Sequence, residues 1–303
     1  MSQVPDTAIV STSPTWGERA RLYLDVTRPR VIALVLFTGL PILALGREVW
    51  PSPWEAFWIL VGTALAGGAS SALNAYVERE TDARMARTRK RPLPAASVVP
   101  GAVLGYGLVL TFVSAVILAW IGGWLAALVA LGTIVFYVGV YTLWLKPRTP
   151  QNIVIGGAAG ATAPLIASAA LDGTLSIQAW ILFAIVFLWT PPHFWAIAIY
   201  RKAEYANAGF PMMPNVVGDQ PTRWRSLVYT LLTLAATAVP VLLGDLGIVY
   251  GVAALGLGGW FLWSVIVSMR TRHPSADRRV FAVSIAYLFL LYLFMMVDLL
   301  LPW

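Results

Sequence analysis

The chain has 303 residues, of which 59% are hydrophobic and only 12% are charged, with a mean hydropathy of +0.75. Soluble domains carry about 25% charged residues, so this composition excludes an ordinary soluble protein and indicates a membrane protein. The chain has no cysteine, which excludes disulfides, thiolate metal sites and thiol nucleophiles.

The first 26 residues are polar, and we expect a partly disordered segment that leads into a short interfacial helix. Residues 27–303 are predicted to form one transmembrane domain. Long, uniformly apolar runs cross lipid as helices. They occur at about 31–46, 54–76, 97–121, 124–144, 152–171, 175–200, 226–244, 247–269 and 280–301. The predicted fold is therefore all-α, a polytopic membrane protein with about nine transmembrane helices in a single bundle around a central cavity.

The basic residues support this topology. With nine spans, 20 of the 21 Lys and Arg residues fall on one side of the membrane, and only Arg47 falls on the other. Basic residues concentrate in cytoplasmic loops, so we expect a cytoplasmic N-terminus, cytoplasmic motif-bearing loops and an outside C-terminus. The same placement accounts for the net charge of +7, so we predict no nucleic-acid partner.

Three oxygen-bearing side chains follow one another at the end of the second span. Asn74, Glu78 and Asp82 are spaced four residues apart, so on a helix they share one face at steps of about 6 Å. Oxygen ligands suit Mg²⁺, which binds few carboxylates and completes its shell with substrate phosphates. Basic residues follow at once: Arg84, Arg87, Arg89, Lys90 and Arg91. The pattern favours a Mg²⁺–diphosphate site, and the alternative is an ordinary basic connector with ion pairs along a helix.

A second candidate region closes the sixth span. Tyr200 and Glu204 are four residues apart, on the same predicted membrane side as Lys146 and Arg148. Those two basic residues are candidate diphosphate donors or simply cytoplasmic charges. His193 lies inside the apolar sixth span, where a polar side chain is a functional candidate.

The first motif and several other strings resemble one family. Asn74, Asp82, Met85, Arg87, Thr88, Arg91, Pro92 and Leu93 match the first motif of the protoheme IX farnesyltransferase family, within the UbiA-type intramembrane prenyltransferases. Glu78 stands where that family usually has Asp. The string Trp189-Thr-Pro-Pro-His-Phe-Trp195 is similar to the most distinctive one of this heme branch. Further similar strings are Thr27-Arg-Pro-Arg-Val31 near the start and Phe281, Ser284, Tyr287 and Asp298 in the last span.

The resemblance implies a Mg²⁺-dependent prenyltransferase. It would transfer farnesyl from farnesyl diphosphate to a vinyl group of heme B, with addition of water, to give heme O and diphosphate. Heme B is then a substrate, not a prosthetic group. The implied metal ligands are Asn74, Glu78, Asp82 and Glu204. The implied diphosphate ligands are Arg84, Arg87, Arg91, Lys146, Arg148 and Tyr200. The implied heme and isoprenoid contacts are Trp189, His193, Phe194 and Trp195.

For His193 three substrate roles stay open: axial iron ligand, porphyrin orientation or water delivery. A fourth interpretation is an ordinary satisfied buried histidine. The implied location is a bacterial-type inner membrane, with membrane lipid as surroundings and a downstream heme-modifying enzyme or terminal oxidase assembly as recipient of the product.

Three alternative functions remain at this stage. A quinone- or chlorophyll-type prenyltransferase would share the first motif but use another acceptor. A transporter would bind its substrate near the midplane, whereas the charged motifs here lie at one surface. A heme chaperone would need His193 but not the row of Asn74, Glu78 and Asp82.

Overall fold

The computed structural model describes residues 15–47 and 49–301, and all the regular structure in these ranges is helical. The N-terminal half contains α1 (Trp16–Thr27), α2 (Pro29–Gly39), a 3₁₀ turn (Leu40–Leu43), α3 (Pro53–Ala83), α4 (Pro100–Val135) and a π-helix (Phe136–Leu145). The C-terminal half contains α5 (Asn152–Gly160), α6 (Ala163–Asp172), α7 (Ile177–Tyr200), α8 (Lys202–Asn207), α9 (Met213–Val217), α10 (Asp219–Leu242), α11 (Ile248–Thr271) and α12 (Pro274–Leu299).

Residues 100–145, which comprise α4 and the π-helix, form a hairpin that turns at Gly123 inside α4. Gly123 has φ 76° and ψ 178°, a conformation essentially restricted to glycine. Gly107 lies against Leu73 of α3, and Thr142 hydrogen-bonds Asn74, the next residue of α3. A straight helix would separate Gly107 from Thr142 by about 52 Å. The chain therefore reverses at Gly123, which creates two antiparallel spans, 100–122 and 124–145.

The expected number of spans is confirmed. Seven described helices are long and apolar enough to cross a membrane, and the pair of α1 with the α2 segment, bent by 51°, can count as an eighth. One of the seven is the 46-residue segment Pro100–Leu145. Its division at Gly123 brings the count to the predicted nine. The chain is an integral membrane protein with an all-helical bundle.

The segment before the first span is partly structured. A capping box between Thr15 and Glu18 starts α1, since the hydroxyl accepts from the Glu18 amide and the carboxylate accepts from the Thr15 amide. Val26 is buried, and the Tyr23 ring meets Tyr106 of α4 edge-on at 5.2 Å. Helix α1 is thus part of the bundle. The disorder expected for the first residues concerns 1–14, which lie outside the described residues.

The loops with the predicted motifs meet at one end of the bundle. The side chains that join them form ion pairs and cation–π contacts: Glu78–Lys146, Lys202–Asp219, Lys146 over Phe210 and Arg278 over Tyr200. A different set of contacts lies at the opposite end, including Arg47–Asp172 at 2.5 Å and Gln178–Asp245 at 3.3 Å. The candidate site is therefore built where α3, the π-helix and the loop after α7 come together.

Candidate active site

The predicted row of oxygen ligands lies on one continuous helix. Helix α3 extends to Ala83, beyond the expected apolar span, and carries Asn74, Glu78 and Asp82 on its inner face. Their exposed fractions are 1%, 7% and 6%. Burial of a carboxylate is costly unless charges or hydrogen bonds compensate it, so the partners of these three groups define the site.

Asn74 is fixed in one orientation. The Thr142 hydroxyl donates to the Tyr137 carbonyl at 2.8 Å, so its oxygen accepts from Nδ2 of Asn74 at 3.0 Å. The amide oxygen of Asn74 accepts from the Arg28 guanidinium at 3.0 Å. Arginine can only donate, which agrees with this assignment of the amide.

Each buried carboxylate of α3 has a basic partner from another segment. Glu78 forms an ion pair with Lys146, whose ammonium also lies 4.7 Å from the centre of the Phe210 ring. Asp82 pairs with Arg91 at 2.7 Å. These two bridges join α3 to the end of the π-helix and to the loop that follows α3.

The loop after α3 folds back onto the helix that precedes it. The Thr88 hydroxyl donates to the Asp82 carbonyl at 2.7 Å, while Met85 and Leu93 are buried. This fold brings Arg91 back over Asp82. A small cleft lies beside the pair and is lined by Asp25, Val26, Arg28, Ala75, Asp82, Arg91, Pro92, Leu93 and Pro94.

Arg28 and Arg91 line the cleft together with the carboxylates of Asp25 and Asp82, and the charge of Arg87 lies near Arg91. Burial lowers the pKa of the Arg91 guanidinium, and the nearby charges of Arg28 and Arg87 lower it further, whereas Asp82 raises it. Neighbouring cations that repel one another in a partly buried cleft favour the binding of an anion. Arginine forks match phosphate oxygens in geometry.

Sequence reasoning missed Arg28 as a site residue. Arg28 has φ 58° and ψ 60° at the junction of α1 and α2, a left-handed conformation that is uncommon outside glycine. The junction turns the guanidinium toward Asn74. The signal in the sequence is the Thr27-Arg-Pro-Arg-Val31 string, in which Arg28 directly precedes a proline at the start of the first predicted span.

The π-helix was also missed, as were Tyr137 and Thr142. A π-helical turn accommodates an extra residue and frequently occurs at functional sites. It presents Thr142 to Asn74 and stacks Tyr137 on Tyr141 with ring centres 5.3 Å apart. Gly156 of α5 leaves room for Tyr141, because a Cβ there would lie 2.2 Å from the ring.

The second predicted carboxylate lies on a separate helix. Helix α7 ends at Tyr200, Arg201 is non-helical with φ −110°, and Glu204 belongs to α8. The Glu204 carboxylate pairs with Arg201 at 3.1 Å, and both side chains are about one-third exposed. Tyr200 receives a hydrogen bond from Arg201 at 3.2 Å.

Within residues 15–47 and 49–301, no three His, Cys, Asp or Glu side chains lie close enough to hold a metal by themselves.

The remaining predicted basic ligands occupy different positions around this end. Arg87 is exposed. Burial raises the pKa of the Tyr205 hydroxyl, and the nearby charge of Arg87 partly opposes this increase. Arg84 forms the exposed C-cap of α3. Arg148 donates to the carbonyls of Leu143 and Trp144 at 2.8 and 3.1 Å, so it caps the π-helix.

The four predicted heme and isoprenoid contacts on α7 separate into different faces. Trp189 and His193 stack at 4.3 Å between ring centres and face α12. Trp195 is buried against Tyr229 of α10. Phe194 is 40% exposed and meets the His193 ring edge-on. The structure therefore brings Trp189, His193 and Phe194 into contact and places Trp195 apart from them.

The fold and this end of the bundle define an intramembrane prenyltransferase. The sequence profile of the UbiA prenyltransferase family matches residues 35–294, and the chain belongs to this family. Among curated relatives, the chain is 44% identical to protoheme IX farnesyltransferase from Beijerinckia indica, over 100% of this chain and 93% of that protein. It is 45% identical to protoheme IX farnesyltransferase from Rhodopseudomonas palustris, over 91% and 89%.

Solved structures show the same fold at low sequence identity. A digeranylgeranylglyceryl phosphate synthase matches with a TM-score of 0.78 and 16% identity, over 93% of this chain and 99% of that chain. A UbiA homologue from Archaeoglobus fulgidus bound to DMAPP and Mg²⁺ matches with a TM-score of 0.62 and 16% identity, over 89% and 98%.

Proposed function

We propose that this protein transfers a farnesyl group from farnesyl diphosphate to a vinyl group of heme B, with addition of water, and releases heme O and diphosphate. The observation that carries the proposal is the buried row of Asn74, Glu78 and Asp82, each paired with a basic residue at one end of the bundle. The acceptor is taken from the name of relatives at 44–45% identity over most of both chains.

The donor set suits Mg²⁺. One amide oxygen and two carboxylates at successive turns of α3 are hard ligands, and Mg²⁺ takes few of these together with substrate phosphates. Asn74, Glu78 and Asp82 would hold the ion, which supplies Lewis-acid polarisation of the diphosphate. Glu204 is the proposed carboxylate for a second ion. The segment that carries Glu204 continues to Phe210, whose ring contacts the Lys146 ammonium, and Lys146 pairs with Glu78 of the first motif.

The basic partners prepare the site for the diphosphate. Without substrate, Lys146 and Arg91 compensate the buried carboxylates, and Arg28 holds the Asn74 oxygen. A bound diphosphate offers these cations phosphate oxygens as new partners. Arg87 and Tyr200 add further donors at the same end, and Arg84 and Arg148 supply positive charge around it. The cations stabilise the leaving diphosphate as the carbon–oxygen bond breaks.

The membrane interior protects the reactive intermediate. Cleavage leaves an allylic farnesyl cation, which aromatic faces stabilise and bulk water would destroy. The vinyl group of heme B forms a carbon–carbon bond with this cation. The positive charge then lies on the vinyl carbon attached to the porphyrin ring, where a water molecule adds and loses a proton.

The location follows the same reasoning. The basic end and the motif-bearing loops face the cytoplasm of a bacterial-type inner membrane, and the C-terminus faces outside. Farnesyl diphosphate would reach the site from the cytoplasmic side. The product is apolar enough to stay in lipid until a heme-modifying enzyme or a terminal oxidase takes it.

The test is turnover by the purified full-length protein in lipid nanodiscs. The protein is incubated with heme B, farnesyl diphosphate and Mg²⁺. The hemes are then separated, and their masses are measured by mass spectrometry. A product heavier than heme B by one farnesyl group and one hydroxyl group supports the proposal. Farnesylation of 4-hydroxybenzoate or chlorophyllide but not of heme B would overturn it.

A further inference from the structure

We infer that Ser284 fixes the His193 ring in the tautomer with its proton on Nδ1, so that the lone pair of Nε2 binds the iron of the heme substrate. The inference rests on the proposed function in its choice of heme as acceptor. Ser284 therefore acts as a positioning residue and His193 as the substrate ligand.

Ser284 of α12 holds two aromatic side chains of α7. Trp189 donates from Nε1 to the Ser284 carbonyl at 2.8 Å, and the Ser284 hydroxyl lies 2.8 Å from Nδ1 of His193. Trp189 and His193 are one helical turn apart on α7, so both bonds come from the same helix face. The two rings stack at 4.3 Å, which leaves the imidazole little freedom to rotate.

The proton on the Ser284 hydroxyl decides the tautomer. That hydroxyl lies 2.8 Å from the Phe281 carbonyl, which can only accept. If the hydroxyl proton pointed to His193 instead, two bare oxygens would face each other at 2.8 Å. The hydroxyl thus donates to Phe281 and accepts from Nδ1–H of His193.

The surroundings favour a neutral ring. Trp189, Phe194 and Phe281 surround the imidazole at 4.3, 5.1 and 4.9 Å between ring centres. In the described part of the chain, no carboxylate forms an ion pair or a hydrogen bond with His193. A neutral ring with its proton on Nδ1 carries a lone pair on Nε2.

The Nε2 lone pair is the group that points to a ligand. Among residues 15–47 and 49–301, Ser284 is the one hydrogen-bond partner of the His193 ring, and it binds Nδ1. The ring is 8% exposed inside a transmembrane helix. Histidines that bind metals commonly donate their other ring N–H to a protein oxygen, as His193 does to Ser284. Heme iron takes a neutral imidazole as an axial ligand.

The tautomer can be measured without heme. The chain has two histidines, so labelling with ¹⁵N-histidine gives two ring spin systems, and His273→Asn assigns them. We expect a protonated Nδ1 and an unprotonated Nε2 for His193, and loss of this preference in Ser284→Ala. The matched control is Ser264→Ala, because Ser264 is also buried and donates to the carbonyl three residues before it, Phe261. A proton on Nε2 of wild-type His193 would overturn the inference.

Iron ligation is tested with heme B in full-length protein without farnesyl diphosphate. Resonance Raman of the ferrous complex should show an iron–histidine band that shifts on ¹⁵N-histidine labelling and disappears in His193→Gly. Added imidazole should restore ligation in that variant. We expect Ser284→Ala to weaken ferric heme binding about 10- to 100-fold, with Ser284→Thr close to wild type. Metal-free protoporphyrin IX should bind wild type and His193→Gly equally.

The two possible failures are distinguishable. Turnover of heme B by wild type without an isotope-sensitive iron–histidine band overturns the inference and leaves the proposed function intact. Absence of both heme binding and heme turnover in wild type contradicts the proposed function itself.

Discussion

Asn74 has each of its amide atoms engaged by a different segment. Arg28 from the α1–α2 junction binds the oxygen, and Thr142 from the π-helix binds the nitrogen. The amide is therefore held in a preset orientation, which would reduce the reorganisation needed for the ligands that we propose for it. Glu78 and Asp82 are preset in the same way by Lys146 and Arg91.

At the residue scale, Glu78→Gln should reduce turnover by about 100-fold or more. The substitution keeps the side-chain shape but removes the charge that we propose as a metal ligand, and it leaves Lys146 without its carboxylate partner. Steady-state kinetics with heme B and farnesyl diphosphate measure the effect. Glu80→Gln is the control, since Glu80 lies on the same helix but is exposed and pairs with Arg79. Equal losses in both variants would contradict the role of the buried row.

Arg28→Gly separates the role of the side chain from that of the backbone. Glycine adopts the left-handed conformation without the cost of roughly 1–2 kcal/mol that other residues bear, so the melting temperature should stay unchanged or rise. Turnover should fall about 10-fold or more, because a charged hydrogen bond to Asn74 and a proposed diphosphate donor are lost.

The control for this variant is Arg272→Gly. Arg272 is also left-handed, with φ 54°, but it is exposed at the end of α11. It should tolerate glycine with full activity. Full activity of the Arg28→Gly variant would show that the Arg28 side chain has no role in the site.

At the element scale, the reversal at Gly123 is the feature that converts a 46-residue helical segment into two spans. Gly123→Ala should destabilise the bundle by about 1–3 kcal/mol, because alanine cannot adopt φ 76° and ψ 178° without strain. Thermal unfolding in detergent measures this. Gly132→Ala is the control within the second arm: nothing lies within 4 Å of the added Cβ, and alanine favours a helix. Equal melting temperatures for the two variants would contradict a strained reversal at Gly123.

Hydropathy was sufficient to predict the spans, because lipid-facing helices must be apolar over about 20 residues. The spacing of Asn74, Glu78 and Asp82 likewise predicted a shared face, since helical geometry is local. Their partners depend on how distant segments pack, and sequence spacing carries no such information. Arg28 lies 46 residues from Asn74, and Lys146 lies 68 residues from Glu78.

The aromatic string of α7 shows the same limit. Its four predicted contacts lie between residues 189 and 195, but consecutive helical residues point in different directions. Trp189 and His193 therefore share the α12 face, while Trp195 is buried against Tyr229 and Phe194 is partly exposed. The π-helix was equally unpredictable, because its sequence is an ordinary apolar run.

At the scale of the whole molecule, the basic residues predict orientation. The absence of cysteine provides a clean background for single-cysteine labelling. Lys90→Cys and Thr174→Cys lie at exposed positions in loops at opposite ends of the bundle. A membrane-impermeant maleimide should label the Thr174→Cys variant in intact bacterial cells and the Lys90→Cys variant only after the membrane is opened. The reverse pattern would contradict a cytoplasmic active site.

The central claim is that a divalent cation at the α3 row drives farnesyl transfer to heme B with capture of water. Its most direct test is turnover in H₂¹⁸O, with Mg²⁺ and after chelation, followed by mass spectrometry of the heme product. The account predicts a farnesylated heme that carries one ¹⁸O atom, forms only with the divalent cation, and is reduced in Glu78→Gln but not in Glu80→Gln. A farnesylated heme without ¹⁸O, or full turnover after chelation, would contradict the account.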